Sequence, residues 1–292
     1  MWPCQSQRRS AAASGLRDVS PLQSFIGTHR RLFVLTGAGC STDSGIPDYR
    51  GRDGEWKRAP PVTLQAFMHE AATRQRYWAR SLIGWPHFAH AQPNSAHYAL
   101  AQLERNGRIE QLVTQNVDRL HQRAGSERVI DLHGRLDEVR CMACDRGQSR
   151  NAFQQRLLER NPAWHQLEAT VAPDGDADLD GQDFARLQVP PCLQCGGILK
   201  PDVVFFGEAV PRERVDAATQ ALHAADAVLV VGSSLMVYSG YRFALAAVKA
   251  GKPVAALTLG RTRADALLSL KIDARCSDAL AFVLEPRSLI AN

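Results

Sequence analysis

The sequence predicts an α/β protein: a doubly wound parallel sheet of Rossmann-like type, with a second, smaller domain that is part zinc-binding and part helical. Three observations carry that prediction. Short apolar runs alternate with amphipathic segments of helix length. One run, Leu32 to Leu35, stops abruptly at Thr36-Gly37-Ala38-Gly39. Four of the seven cysteines stand in two C-x-x-C pairs. Apolar strands that alternate with helices imply a parallel sheet covered on both faces. Such sheets bind ligands outside the carboxyl ends of their strands.

The elements read in order as follows. Residues 1–20 are expected to be a disordered N-terminus. Within residues 1–17, Arg8, Arg9 and Arg17 lie among Ser and Ala with no acid, a composition shared with mitochondrial transit peptides. No apolar face repeats there, so a cytoplasmic protein is expected, with the mitochondrial matrix as the alternative. Phe33 to Thr36 is strand-like. Gly51 to Gln92 is helical and rich in Arg, Trp and His. Ser95 to Arg105 reads as a helix, capped by Asn94 or Ser95 and stopped by Gly107. Ile109 to Thr114 is a strand, Val117 to Ala124 a short helix closed by Gly125, and Val129 to Leu132 another strand. Then come a strand at Val203 to Phe206, a helix from Arg212 to His223 and a fully apolar strand, Ala227 to Val231. A helix from Tyr241 to Ala250 and strands at Pro253 to Leu259 and Ile272 to Arg275 finish the chain. Residues 21–50, 93–136 and 200–292 are thus assigned to the Rossmann-like domain. Residues 51–92 and 137–199 interrupt the alternation and are expected to form the small domain together.

Composition bounds the partners. The 292 residues are 45% hydrophobic and 22% charged, ordinary for a globular protein. No apolar run approaches the ~18 residues needed to span a bilayer. The net charge of +5 is modest, and no basic block suggests a nucleic-acid footprint.

The glycine turn carries the first chemical signal. A strand that ends in glycines lets backbone N–H groups approach a phosphate with no Cβ in the way. Arg50 can add a bidentate partner for the same anion. The usual dinucleotide fingerprint is G-x-G-x-x-G, and here the third glycine comes late: Gly37, Gly39, then Gly45. On spacing alone, a nucleotide site and a plain glycine turn are equally open.

The cysteines carry the second. Cys141-x-x-Cys144 and Cys192-x-x-Cys195 can place four thiolates around one ion at ~2.3 Å, which is the pattern of a closed structural zinc site. Gly196-Gly197 lets the backbone turn after the second pair. The insert between the pairs contains Asp176 to Gly181, which satisfies the first half of a calcium loop. The required Glu is replaced by Leu187, so a solvated acidic loop is expected. The third signal is TQNVDRLHQRAG, residues 114 to 125, which places Asn116 and Asp118 at a strand end. The next strand leads to His133, where a histidine can serve as a general base near pH 7 or as a structural residue.

Five strings taken together resemble one family. GAGxSxxSGIPDYR, TQNVDxLHxxAG with LHG, the two C-x-x-C pairs, GGxLKPDVVFFGE and VGSSLMVYSGYR stand in the order found in sirtuins, the NAD-dependent protein lysine deacylases. The resemblance covers roughly residues 25 to 285. The YSGYR and TRAD strings look most like the class II branch, which includes a mitochondrial animal sirtuin and bacterial relatives.

The resemblance implies NAD as cosubstrate, one structural zinc and acyl-lysine protein substrates bound as an extended strand. Gly37, Ala38, Gly39, Ser44 and Arg50 would hold phosphates and ribose. Ile46, Pro47, Asp48 and Tyr49 would form the nicotinamide pocket. Gln115, Asn116 and Asp118 would orient the nicotinamide ribose and carboxamide. Gly232, Ser233 and Ser234 would bind the adenosine side, with Thr258 beside its ribose and Cys276 beside the adenine. His133 would be the general base, with Asn116 catalytic beside it. The acyl oxygen would attack the anomeric carbon as nicotinamide leaves, giving deacylated lysine, nicotinamide and O-acyl-ADP-ribose. Val203, Val204, Phe205 and Phe206, with Leu235 and Val237, resemble the segments that sandwich the substrate. Tyr77 and Arg80 stand at i, i+3 and resemble a Y-x-x-R pair that receives acidic acyl groups, so some tolerance for acidic or longer acyl chains is expected. Tyr49 replaces the family's common Phe, and Thr258 stands where many members carry Asn. Two rival readings use the same residues: mono-ADP-ribosyl transfer to protein, and a non-catalytic NAD-sensing or zinc-dependent binding protein.

Overall fold

The computed structural model describes residues 18–57, 61–164, 170–171, 177–178 and 183–285. Residues 1–17 and most of the acidic stretch at 174–181 lie outside the described residues. The chain opens with helix α1 (Ser20–Thr28) and strand β1 (Leu32–Thr36). Helices α2 (Leu64–His69), α3 (Ala71–His90) and α4 (Ser95–Arg105) follow, then β2 (Ile109–Thr114), α5 (Leu120–Arg123) and β3 (Val129–Asp131). Strands β4 (Gly134–Cys141) and β5 (Gly147–Ser149) lead to α6 (Arg150–Arg160) and the two-residue strands β6 (Thr170–Val171) and β7 (Ala177–Asp178). The rest is β8 (Leu199–Val203), α7 (Arg212–Ala224), β9 (Ala227–Val231), α8 (Tyr238–Lys249), β10 (Val254–Leu257), β11 (Leu270–Ile272) and α9 (Cys276–Ala279). Among the described residues, no helix is long and apolar enough to cross a membrane.

Six strands form one sheet in the order β11-β10-β9-β1-β2-β3, and every pair in it is parallel. Strands β1 and β9 are buried along their whole length, as a strand covered on both faces must be. One face packs Leu22, Val34, Leu100 and Leu229 under α1, α4 and α9. The other packs Phe33, Leu35, Leu222 and Phe243 under α7 and α8. After β1 the chain moves to β2 on one side, while β9 lies on the other. The order therefore reverses beside β1, and the crevice of a doubly wound fold opens at that point.

A second, antiparallel sheet has the order β5-β4-β8. Its core joins Phe67, Trp78 and Leu82 of the helical insert to Val139, Phe153 and Leu199 of the cysteine-bearing insert. The Trp78 indole N–H donates to the Leu199 carbonyl at 3.3 Å. The fully buried Arg150 guanidinium donates to the carbonyl and hydroxyl of Ser81 at 3.1 and 3.2 Å. Burying such a cation requires this kind of partner.

Several sequence boundaries shift for identifiable reasons. Helix α5 begins at Leu120, not Val117. Arg119 takes φ +64°, which cannot continue a helix, and the Asp118 carboxylate accepts the Leu120 N–H at 2.9 Å. The strand expected at Val203 to Phe206 instead ends at Val203 and starts at Leu199. Pro201 sits within it, which is tolerated because β8 is an edge strand. Helix α8 starts at Tyr238 rather than Tyr241, and β11 ends at Ile272 rather than starting there. Helix α1, absent from the sequence reading, starts at the expected disordered end and seats Leu22 and Ile26 on the sheet.

Candidate active site and metal centre

Two strand ends build the floor of the site. Gly37 follows β1 and Gly232 follows β9. A Cβ at Gly37 would lie 2.8 Å from the Ser233 Cβ, and one at Gly39 would lie 3.0 Å from the Gly232 carbonyl oxygen. Gly232 itself has φ +65° and a Cβ there would overlap the Cys40 nitrogen at 2.2 Å. The third glycine of this cradle thus comes from β9. Gly45, the late glycine of the sequence, has φ +83° and only closes the following turn. Above the floor opens a cavity of about 630 Å³. Glycine at 37, 39 and 232 lets the two strand ends pack backbone against backbone beneath the cavity, and a glycine-rich strand-end floor of this kind fits the diphosphate of a dinucleotide.

The β2 end supplies the polar wall. The Gln115 amide donates to the Thr36 carbonyl at 3.1 Å and to Ser233 Oγ at 2.8 Å. The Asn116 amide donates to the Gly37 carbonyl and to Ser41 Oγ, both at 3.1 Å. Ser41 in turn donates to Asp118 Oδ2 at 2.6 Å. Burial pushes the Asp118 carboxyl up from its ordinary range, and the Ser41 and Leu120 donors oppose that shift. Ser41 is therefore the joint of the group; the sequence marked it as part of the glycine–serine string but gave it no role.

His133 lies where the two sheets meet. Leu132 still bonds to the Thr114 carbonyl of β2, and Gly134 already opens β4. Gly134 has φ +84° and a Cβ there would overlap the Asp202 carbonyl oxygen at 2.1 Å. The His133 carbonyl accepts the Val204 N–H at 2.8 Å, which pins the candidate substrate segment to the histidine. His133 Nδ1 lies 3.0 Å from the Gln115 carbonyl oxygen. A carbonyl only accepts, so Nδ1 carries the proton and Nε2 keeps its lone pair. The ring lines the cavity, and the surrounding protein lowers its pKa to about 4 by desolvation. The ring is neutral at pH 7.

The cavity brings together most of the residues singled out by sequence. Gly37, Ala38, Gly39, Ile46, Asp48, Tyr49, Arg50, Gln115, Asn116, Asp118 and His133 line it. So do Gly232, Ser233, Ser234, Thr258, Cys276, Tyr77, Val203 to Phe206, Leu235 and Val237. Ser44 and Pro47 are not among its lining residues; Ser44 Oγ accepts from the Asn94 amide at 3.0 Å. Arg80 is not among them either. Apolar residues share the lining with Tyr77: Val62, which packs in the same core, and Phe88 and Leu136. Arg50 stacks on Trp56, 3.9 Å from the ring centroid, and donates to the Gly54 carbonyl at 2.8 Å. Trp56 and Arg275 also line the cavity and had no motif to mark them; Ser239 lines it too, and there the YSGYR string marked the residue but no role for it.

The cysteine pairs converge at the far end of the antiparallel sheet. Their four sulfurs lie within 4.8 Å of one another, with Cys141 to Cys195 at 3.5 Å and Cys144 to Cys192 at 3.8 Å. Sulfurs ~2.3 Å from a tetrahedral ion sit about 3.8 Å apart, so the residues fit zinc. Backbone N–H groups at Cys195 and Gln194 bring the Cys192 thiol down to about 6, toward the thiolate that a metal needs. A Cβ at Gly197 would lie 2.8 Å from the Ala143 Cβ and 3.0 Å from Cys141 Sγ. Cys40, His97 and His121 also gather within 4.8 Å, fully buried. There, however, His97 Nδ1 accepts the Asn94 N–H at 3.2 Å, so its Nε2 bears the proton and offers no lone pair. That cluster is core packing beneath the glycine turn.

A strand-end glycine cradle, a neutral histidine at the sheet junction and a four-thiolate module define a zinc-bearing dinucleotide-binding protein of the Sir2 class. The Sir2 family model matches residues 37–239, and the chain belongs to that family. It is 66% identical over 265 residues to an NAD-dependent protein deacetylase of Xanthomonas campestris pv. campestris, covering 91% of this chain and 90% of the relative. It is 48% identical to the mitochondrial NAD-dependent protein lipoamidase sirtuin-4 of Bos taurus over 92% of this chain and 86% of that one. A solved complex of Sir2 with p53 peptide and NAD+ superimposes with a TM-score of 0.72 at 30% identity, covering 91% of this chain and 97% of that chain.

Proposed function

We propose that this protein is an NAD-dependent protein lysine deacylase. The observation that carries the reading is His133, which lines the same cavity as Asn116, Asp118 and the glycine cradle and keeps Nε2 unprotonated. NAD supplies an activated glycosidic bond whose cleavage drives transfer of the acyl group to ADP-ribose. The glycines at 37, 39 and 232 take the phosphates. Ser233, Ser234, Thr258 and Cys276 line the adenosine side. Asn116 and Asp118, locked together through Ser41, hold the nicotinamide end, and Ile46 to Tyr49 wrap it. His133 is the general base that accepts a ribose hydroxyl proton. The zinc holds β4 against the second cysteine pair and takes no part in the chemistry, because a four-thiolate site has no open position. That support reaches the cavity through β8, whose Val203 continues into Val204 to Phe206.

The substrate lysine enters as an added strand between Val203 to Phe206 and Leu235 to Val237, both of which line the cavity. Backbone pairing of this kind makes the surrounding sequence preference loose. The apolar residues that share the lining with Tyr77 support longer apolar acyl chains. The expected Tyr77–Arg80 pair does not support acidic ones, because Arg80 lies outside the lining. The relative from Bos taurus that is named a lipoamidase agrees with the longer-chain reading. We place residues 51–92 and 137–199 together as the small domain, and the protein in the cytoplasm. The test is nicotinamide release from NAD against acetyl-, octanoyl-, lipoyl-, succinyl- and glutaryl-lysine peptides. Turnover of the apolar chains above the succinyl and glutaryl peptides is expected. Faster turnover of the acidic chains would refute the acyl assignment.

A further inference from the structure

The lone pair of His133 Nε2 is not open to the cavity. Ser239 Oγ sits on it at 2.8 Å. Nδ1 is committed as a donor to the Gln115 carbonyl, so Nε2 can only accept, and the Ser239 hydroxyl must be the donor. Ser239 lies in the first turn of α8, half-buried, and lines the cavity. Its neighbour Gly240 lets this turn come close, since a Cβ there would overlap Gln115 Oε1 at 2.5 Å. The first turn of α8 is thus fitted to Gln115 and His133 at two points.

We propose that Ser239 is a further catalytic residue, the relay through which a substrate hydroxyl proton reaches His133. The step balances as follows. The ribose hydroxyl of bound NAD donates to a free lone pair of Ser239 Oγ. As its O–H bond breaks, the proton forms a new O–H bond on Oγ. The original Ser239 proton passes to Nε2 in the same movement. Serine is regenerated, His133 becomes imidazolium, and the electron pair stays on the ribose oxygen, which becomes the nucleophile. The return path delivers the proton in reverse. This inference rests on the reading of His133 as general base.

Ser239→Ala, Ser239→Thr, His133→Ala and the double variant test it, by single-turnover measurement of acyl-ADP-ribose formation at saturating NAD and acetyl-lysine peptide. In Ser239→Ala the rate is expected to fall about 100-fold, the low end of the range for a positioned proton transfer, with the KM for NAD unchanged. Ser239→Thr keeps the hydroxyl and restores most of the rate. The proton inventory in mixed H2O and D2O is curved for the wild type, which moves two protons, and linear for Ser239→Ala. In the His133→Ala background, Ser239→Ala costs nothing further. A Ser239→Ala rate within twofold of wild type, a Thr variant no better than Ala, or additive losses in the double variant would each overturn the relay. Full activity in His133→Ala alone would instead overturn the general-base reading. The 15N resonance of Nε2 in the resting protein, which shifts in Ser239→Ala when the donor is lost, reads the contact without any turnover.

Discussion

Replacing Ser41 by alanine removes the joint between Asn116 and Asp118, and the cost follows from the hydrogen bonds. Asp118 is 9% exposed and is held by two donors, Ser41 Oγ at 2.6 Å and the Leu120 N–H at 2.9 Å. Ser41→Ala deletes the shorter one. A hydrogen bond to a buried charged group is worth roughly 1.5–3 kcal/mol, so a loss of about 2 kcal/mol is expected. The Asn116 amide loses one acceptor but keeps the Gly37 carbonyl at 3.1 Å, so the wall loosens without collapsing. Expressed in NAD turnover, about 2 kcal/mol is a factor of roughly 30 in kcat/KM. The assay is nicotinamide release over a series of NAD concentrations, paired with urea unfolding of the same variant. The pH dependence has a definite sign. Burial already raises the Asp118 carboxyl, and losing a donor raises it further. The deficit in unfolding free energy is therefore largest where Asp118 is ionised and narrows as the pH falls and Asp118 takes up a proton. A Ser41→Ala enzyme with kcat/KM within threefold of wild type and an unchanged unfolding free energy would refute this reasoning.

Three further outcomes are expected. Elemental analysis should find one zinc per chain, and stripping it with a chelator should expose the core that contains Cys141, Cys192, Trp78 and Leu199, lowering the melting temperature and abolishing peptide-dependent turnover. Stability should fall as the pH drops below 6.5. Burial holds His97 and His133 at about 4 and His121 well below 6.5, so the unfolded chain takes up protons that the fold refuses. Each such group costs up to about 1.4 kcal/mol per pH unit, and urea midpoints at pH 7.5 and 5.5 measure the sum. Gly134→Ala should destabilise by about 3 kcal/mol or more, because the new Cβ would overlap the Asp202 carbonyl oxygen at 2.1 Å. Gly207→Ala, with a similar φ of +78° but its nearest neighbour at 3.8 Å, should cost only about 1 kcal/mol.

The parallel sheet was legible because its strands are covered on both faces, which turns Leu32–Thr36 and Ala227–Val231 into unbroken buried runs. The metal module was legible because two-residue spacing is itself the geometry that brings paired sulfurs together. The glycine turn was only half legible. Its third glycine, Gly232, is adjacent through the pairing of β1 with β9, which no local spacing records. Helix α5 was misplaced for a backbone reason: Arg119 in the left-handed region resets the chain just where an apolar pattern suggests a continuous helix. The contacts of Ser41 with Asp118 and of Ser239 with His133 join residues far apart in sequence through single hydrogen bonds. Periodicity and motif spacing carry no trace of such pairs. Arg80 shows the converse: helical spacing places it on the face of Tyr77, yet only Tyr77 lines the cavity.

The central claim is that the cavity positions NAD for cleavage by an acyl-lysine, with His133 as the base. Mass spectrometry of a quenched single turnover with NAD and an acetyl-lysine peptide tests it most directly. The account predicts equal amounts of nicotinamide, deacetylated peptide and O-acetyl-ADP-ribose, the last two lost in His133→Ala. ADP-ribose attached to protein or peptide with the acetyl group still on lysine, or undiminished deacetylation in His133→Ala, would contradict it.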